Sequence, residues 1–257
     1  MLLRISSLRG LPIQARDGTI GSSSDVLFED DTWQARWLVV DTGSWLMGRK
    51  VLLPVSHTTA LGAGDESIAV DLTKQQVEDS PGSGVDLPVS RQMETLVYEA
   101  YRWAPYWSPP GMPFVSTAAY PVLPAAPIPA AGGAPVLSAT PAAAQGSMPT
   151  VDENEKRGDP HLRSADEVAG YYIHARDGDI GHVEDMLVEG SDWTIGYFIV
   201  DTKNWWPGKM VLVHPDWIEA VSWEQRLVHL SRSRDEVKMA PEYDPSQPID
   251  SSSRRFG

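Results

Sequence analysis

The segment "VDTKNWWPGKMVLV", residues 200–213, repeats an earlier one, "VDTGSWLMGRKVLL", at residues 40–53. The repeat extends upstream at the same offset of 160 residues, where "ARDGTIG" (15–21) aligns with "ARDGDIG" (175–181). About 17 of the 41 positions from residue 15 to residue 55 are identical to their counterparts. This period is longer than that of a solenoid repeat, so the chain contains a duplicated domain.

The second copy has the pattern of a small all-β domain. "RDGD" (176–179) separates two runs of β-favouring residues, and its Asp-Gly pair is a strong hairpin signal, so we expect the tip at Asp177-Gly178. "TIGYFIVD" (194–201) has few polar interruptions, which predicts a strand buried on both faces. About six short strands in roughly 70 residues indicate a closed or nearly closed barrel.

Short helices are predicted after each barrel. Thr73 with Gln76, and Ser233 with Glu236, have the spacing of a capping box, which begins a helix. A longer helix is expected within residues 90–103. Its apolar residues fall at the spacing of one helical stripe: Met93, Leu96, Val97 and Tyr101.

Composition excludes several classes of function. The formal charge of −14 opposes direct nucleic-acid binding, and the absence of cysteine excludes disulfides and thiolate chemistry. The N-terminal residues lack the apolar core of a signal peptide. Residues 103–151 carry no charge but contain eleven prolines, so we interpret them as a linker and not as a membrane span. A cytoplasmic location is expected.

The second copy resembles the PRC-barrel family in three segments. They are "GYYIHARDGDIGHVEDMLVE" (170–189), "DWTIGYFIVDTKNWWPGKMVLVHPDWIEAVSW" (192–223) and "APEYDP" (240–245). The first copy is similar more loosely, over residues 8–81, with "SWLMGRK" replacing the family-like "NWWPGK". The family is named for the cytoplasmic domain of the photosynthetic reaction centre H subunit and includes a domain of a 16S ribosomal RNA maturation factor. The resemblance implies six-stranded barrels that serve assembly and interaction.

We therefore predict a mainly β fold, with two small six-stranded PRC-type barrels and short helices. The expected divisions are a first barrel at 1–89, a helical extension at 90–107, a flexible Pro/Ala-rich linker at 108–160, a second barrel at 161–245 and a disordered tail at 246–257. The barrels are expected to fold separately. The sequence leaves open whether they pair with each other or with those of a second chain.

Several repeated polar and glycine positions are interpreted as structural. Asp41 and Asp201 each follow a buried strand, where a carboxylate typically accepts backbone N–H groups in an Asx turn. The glycines that recur at turns are Gly18, Gly178, Gly48 and Gly208.

Catalytic and metal sites are not expected. A metal site on His174 and His182 is disfavoured because the expected hairpin register sets them opposite Gly181 and Ile173, on alternate faces. The sequence has no nucleophile elbow and no phosphate-binding glycine loop, so we predict no catalytic residues, metal or cofactor.

The tryptophans are the candidate partner-binding residues. Trp45 and Trp205 recur at one place, which fits a buried plug, whereas Leu46 replaces Trp206 in the first copy. Because neighbouring residues of an extended chain point to opposite faces, Trp206 is expected to face outward beside Pro207. We expect Trp205→Ala to cost about 3–5 kcal/mol of stability, and Trp206→Ala to cost less than about 1 kcal/mol while weakening partner binding.

These observations predict a non-enzymatic adaptor that binds protein partners. The alternative is a soluble relative of the reaction centre H subunit, associated with a membrane photosystem. A ribosome-assembly factor acting through protein contacts and a hydrolase using carboxylates are lower alternatives.

Overall fold

The computed structural model of the chain describes residues 1–62, 64–80, 91–108, 162–202 and 209–246. The predicted Pro/Ala-rich linker and nearly all of the predicted tail lie outside these residues. So does the segment 203–208, which contains the adjacent tryptophans.

The first copy contains six strands and two short helices, followed by a longer helix. In chain order these are β1 (Leu2–Arg4), α1 (Ile5–Leu8), β2 (Pro12–Ala15), β3 (Gly18–Glu29), β4 (Gln34–Asp41), β5 (Lys50–Pro54), β6 (Ile68–Ala69), α2 (Lys74–Asp79) and α3 (Arg91–Tyr101).

The second copy repeats this order with seven strands. They and its helices are β7 (Leu162–Ser164), α4 (Ala165–Val168), β8 (Tyr172–Ala175), β9 (Gly178–Glu189), β10 (Ile195–Asp201), β11 (Met210–Val213), β12 (Ile218–Ser222), β13 (Leu227–Leu230) and α5 (Arg234–Lys238). Short 3-10 turns at Val55–His57 and Pro215–Trp217 follow β5 and β11.

Two sheets form, and each includes a strand from the other copy. The first has the order β5-β4-β3-β2-β6, with β7 of the second copy paired to β3. The second has the order β11-β10-β9-β8-β13-β12, with β1 of the first copy paired to β9. The predicted mainly β fold with two barrel-like domains is confirmed. Within the described residues neither sheet closes on itself, because the order of paired strands ends at an edge on both sides.

The two copies share one hydrophobic core. A single cluster of buried side chains runs through both sheets and includes Phe28 and Trp37 of the first copy and Ile173 and Phe198 of the second. The expectation of two separately folded barrels is therefore wrong. As predicted, β10 is buried on both faces, since every residue except Gly196 is shielded from solvent.

Both capping boxes are confirmed, but the stripe predicted on α3 is partly wrong. Thr73 and Ser233 each accept the N–H of the residue three positions later, and that residue's side chain accepts the N–H of the cap. On α3, Leu96 is 52% exposed. Among the α3 residues whose side chains are described, 94–101, the buried ones are Glu94, Val97, Tyr98 and Tyr101, and the predicted Met93 lies outside that range.

The hairpin register differs from the expected one. Ala175 pairs with Gly178, so the turn residues are Arg176 and Asp177, and a bulge after Ile173 sets His174 opposite Asp179. In this register the turn makes a contact outside the hairpin. The Asp177 carboxylate accepts the backbone N–H of Arg234 over 2.7 Å, at the start of α5. The first copy repeats this arrangement, with Asp17 accepting the N–H of Lys74 over 2.8 Å.

Candidate interaction surface

Four of the predicted site residues lie outside the described residues. They are Trp205, Trp206, Pro207 and Gly208. The assignments of plug and contact in the second copy therefore stay predictions.

The corresponding segment of the first copy is described. Trp45 is half-buried and packs against the core, and the Lys74 ammonium lies 5.8 Å from its ring centroid. Gly48 has φ +73°, a conformation that favours glycine, and its N–H donates to the carbonyl of Gly43 over 2.6 Å. Trp45 thus lies at the margin of the core and not fully within it.

Asp41 makes the predicted Asx turn. Its Oδ1 accepts the N–H of Gly43 over 2.8 Å. Asp201, its counterpart, is only 4% exposed and lies directly opposite His182 on the neighbouring strand. Gly18 and Gly178, the other predicted turn residues, have φ +131° and +146°.

The strand exchange is reciprocal. Leu3 of β1 is opposite Val188 on β9, and Arg163 of β7 is opposite Phe28 on β3. In both sheets the incoming strand pairs with the last part of the long strand. Each copy therefore contributes one strand to the sheet of the other, and the two barrels form one unit.

Two equivalent carboxylates secure the exchanged strands. Asp25 accepts the hydroxyl of Ser164 over 2.6 Å and the N–H of Asp166 over 3.2 Å. Asp185 accepts hydrogen bonds from Arg4 Nε over 2.7 Å and from the backbone N–H of Ser6 over 3.2 Å. Each carboxylate thus binds the segment that enters from the other copy.

The buried environment of Asp25 shifts the pKa of its carboxyl. Burial raises the pKa of the Asp25 carboxyl, and the hydrogen bonds from Ser164, Val26 and Asp166 only partly oppose that rise. Because its oxygens are engaged at the copy interface, we assign this carboxylate a structural role.

Trp33 and Trp193 link the copies at the tips of the two long hairpins. Both adopt positive φ, +55° and +62°, which is uncommon for a large side chain. The carbonyl of Trp193 accepts the N–H of Ala35 over 3.0 Å, and the carbonyl of Trp33 accepts the N–H of Ile195 over 2.8 Å. These four residues form a second reciprocal contact between the copies.

The two indole rings also cross the interface. Trp33 lies edge-to-face with Phe198, 5.2 Å between ring centroids, and Trp193 Nε1 donates to Thr58 Oγ1 over 3.1 Å. Sequence reasoning assigned no role to these rings or to Asp25 and Asp185. Their identity in both copies was the available signal.

An aromatic extension covers the outer face of the first sheet. Tyr98 of α3 packs against the buried Trp37 with ring centroids 4.9 Å apart. Beyond the helix, Trp103 stacks on His57 at 3.4 Å, and Tyr106 lies under the Arg36 guanidinium at 4.1 Å. The extension is thus fixed to the sheet by rings as well as by the helix.

Glu29 completes this contact. It accepts hydrogen bonds from Arg36 Nη2 over 2.6 Å and from the Tyr106 hydroxyl over 3.3 Å. Burial would raise the pKa of the Glu29 carboxyl, but hydrogen bonds from Arg36, Thr32 and Tyr106 and the charge of Arg36 together hold that pKa below its usual value.

The second sheet carries a different cover on its corresponding face. A small buried cluster there contains Tyr197, the counterpart of Trp37, and Tyr243 from "APEYDP". The segment "APEYDP" (240–245), called the strip below, is held to the sheet by main-chain hydrogen bonds. The N–H of Leu212 donates to the carbonyl of Pro241 over 2.9 Å, and the N–H of Tyr243 donates to the carbonyl of Met210 over 2.8 Å.

A groove of about 250 Å³ opens beside this strip. Its wall includes Leu2, Trp33, Gly196, Tyr197 and His214. Gly196 is the counterpart of Arg36, and Arg36 lines a corresponding groove of about 320 Å³ on the first copy, whose wall includes Tyr98 and Tyr106 of the aromatic extension. In the part of the chain that the structure describes, no α-helix lines the groove of the second copy, whose wall includes Pro215 and Asp216 of a 3-10 turn.

The family comparison agrees with a barrel in the first copy. Residues 1–77 match the PRC-barrel domain, a family of protein-interaction modules. An uncharacterized protein of Deinococcus radiodurans is 35% identical over 75 residues, which cover 29% of this chain and 26% of that protein. The shared region thus spans about a quarter of the relative. Among the described residues no helix is long and apolar enough to cross a membrane.

Proposed function

We propose that the protein is a non-enzymatic assembly adaptor. Its two barrels form one platform, and the groove on the second barrel binds a segment of a partner protein. The observation that supports this proposal is the difference between the copies: Tyr98 and Tyr106 of the aromatic extension line the groove of the first copy, whereas no α-helix of the described residues lines the groove beside Tyr197.

The occupant of the first sheet indicates the chemistry of the partner segment. Helix α3 buries Val97, Tyr98 and Tyr101, and its extension adds aromatic rings. We therefore expect the partner to present an amphipathic helix with an aromatic stripe, in the helix-in-groove mode of recognition. The net charge of −14 favours basic residues on the flanks of that helix.

The segment 203–208 joins β10 to β11 in the same sheet. We propose that Trp206 supplies a second contact, since aromatic side chains are enriched among residues that dominate binding energy. The plug role of Trp205 belongs to the same proposal.

Two substitutions at one position test the groove. Gly196→Arg introduces the residue found at Arg36 in the first copy and fills the groove with a long side chain. Gly196→Ala is the matched control, because a Cβ there would meet only the flexible end of Leu2, at 3.1 Å. We expect partner retention to be lost with Gly196→Arg and kept with Gly196→Ala, at similar melting temperatures.

The measurement is a pull-down from native cells, followed by binding of the purified partner to each variant. Equal retention by both Gly196 variants and by Trp206→Ala would contradict a partner site on this face. The captured proteins also distinguish the alternatives, since a photosystem relative would retain reaction-centre proteins and a ribosome-assembly factor would retain ribosomal proteins.

A further inference from the structure

Three metal-ligating side chains converge on one face of the second sheet. His182 and Glu184 are two residues apart on β9, beside a shift in the register with β10. Asp201 on β10 is directly opposite His182. The ligand atoms of the three residues all lie within 4.8 Å of one another, and His182 Nε2 is 3.7 Å from Glu184 Oε2.

This geometry is close to that of a zinc-type centre. With metal–ligand bonds of about 2.0–2.2 Å, tetrahedral coordination sets neighbouring ligand atoms roughly 3.4 Å apart. The observed separations, up to 4.8 Å, must therefore shorten by as much as about 1.4 Å, which side-chain torsions can supply while the strand pairing fixes the backbone. The two carboxylates supply negative charge that balances a divalent cation, and the imidazole adds a nitrogen ligand.

We propose that His182, Glu184 and Asp201 form a binding site for a divalent transition-metal cation of the zinc class. The imidazole favours zinc over magnesium, which prefers oxygen ligands. Three protein ligands leave a fourth position for water or for a donor from another molecule.

The exposure of the ligands suits uptake of an ion from solvent. The side chains of His182 and Glu184 are 32% and 38% exposed, whereas Asp201 is 4% exposed. A bound ion would connect β9 to the end of β10, two residues before the segment 203–208.

The first copy lacks this ligand set. Ser22, Ser24 and Asp41 occupy the corresponding positions, so only the carboxylate recurs. The site is therefore specific to the second copy. It also shows that serine is accommodated at both positions of an equivalent strand, which makes His182→Ser and Glu184→Ser conservative tests of the fold.

The test is calorimetric titration of the metal-free full chain with zinc chloride, with magnesium chloride as comparator. We expect saturable binding of one zinc ion per chain and no binding of magnesium in the same concentration range. His182→Ser and Glu184→Ser should each weaken zinc binding at least about tenfold.

Two controls separate this site from other histidines and carboxylates. His174→Gln and Asp41→Asn should bind zinc like the wild type, since His174 is elsewhere on the hairpin and Asp41 lies in the first copy. Circular dichroism of the metal-free variants checks that they are folded. Absence of saturable zinc binding, or affinity unchanged by His182→Ser in a folded chain, would overturn the proposal.

Discussion

At the scale of single residues, Asp25 and Asp185 occupy equivalent positions and bind similar donors. Each accepts hydrogen bonds from a serine hydroxyl and a backbone N–H of the other copy, and Asp185 also accepts one from the Arg4 guanidinium. Both carboxylates satisfy polar groups of a segment that arrives from the other copy, so each is expected to matter for the cohesion of the whole chain.

Asp185→Ala should destabilise the protein by about 2–4 kcal/mol. The substitution leaves Arg4 Nε and the Ser6 N–H without their acceptor at a largely buried position. Urea denaturation measures the loss. Glu219→Ala, at an exposed position on β12, is the control and should change stability by less than about 0.5 kcal/mol. An equal effect of the two substitutions would show that the carboxylate does not secure β1.

Asp25 should make folding stability fall as pH rises. Burial raises its pKa above the ordinary value of 3.8, so between 3.8 and the folded-state value the folded chain holds a proton that the unfolded chain has lost. Asp25→Asn should therefore gain stability relative to wild type as pH rises through that window. Urea titrations at several pH values measure the difference.

Glu29→Gln should show the opposite pH dependence of stability. The pKa of Glu29 is lowered, so its contribution to stability is present above the ordinary value of 4.5 and is lost as pH falls through the folded-state value. Relative to wild type, Glu29→Gln should gain stability as pH falls. Parallel pH dependence of the two variants would contradict the assigned environments.

Gly181 permits a close approach of two strands. A Cβ at this position would lie 1.8 Å from the carbonyl oxygen of Asp201, and at Gly21 the corresponding distance to Asp41 is 2.2 Å. We expect Gly181→Ala to cost about 1–3 kcal/mol, because the strands must separate. Differential scanning calorimetry should show a lower melting temperature for Gly181→Ala than for Gly196→Ala, and equal values would refute the steric argument.

At the scale of elements, α3 shows that the apolar stripe of a sequence can differ from the buried face of the helix. Its buried face includes Glu94 and two tyrosines, so apolar residues alone do not identify it. Val97→Ala should cost about 1–3 kcal/mol because Val97 is fully buried, whereas Leu96→Ala should cost less than about 0.5 kcal/mol. Chemical denaturation of both variants measures these losses. A larger effect at Leu96 would show that Leu96 belongs to the buried face, as the sequence pattern predicted.

Elements whose determinants are local could be predicted. The capping boxes depend on residues three positions apart, and the burial of β10 follows from an unbroken apolar run. The hairpin register could not be predicted in the same way, because Asp177 is engaged by the first N–H of a helix 57 residues away.

At the scale of the whole molecule, the exchange of β1 and β7 could not be inferred from pattern. A three-residue strand carries little periodicity, and nothing in it specifies which sheet it joins. The duplicated Asp25 and Trp33 mark the interface, but identity between copies does not distinguish contact within a copy from contact across copies. The same limit explains why the difference between the two grooves was found only in the structure, since it arises from the segment that packs beside each sheet.

The exchange also changes what cutting the linker should do. If each barrel were independent, cleavage between residues 109 and 160 would release two fragments. In the structure β1 is paired in the second sheet, β7 is paired in the first, and one core spans both. We therefore expect a chain cut at an engineered protease site in the linker to elute as one species of 28.2 kDa in gel filtration and to separate only in denaturant.

Asp25→Ala combined with Asp185→Ala should lower the urea concentration at which the fragments separate, because both carboxylates bind across the interface. Elution as two smaller species without denaturant would show that the exchanged strands and shared core do not hold the copies together.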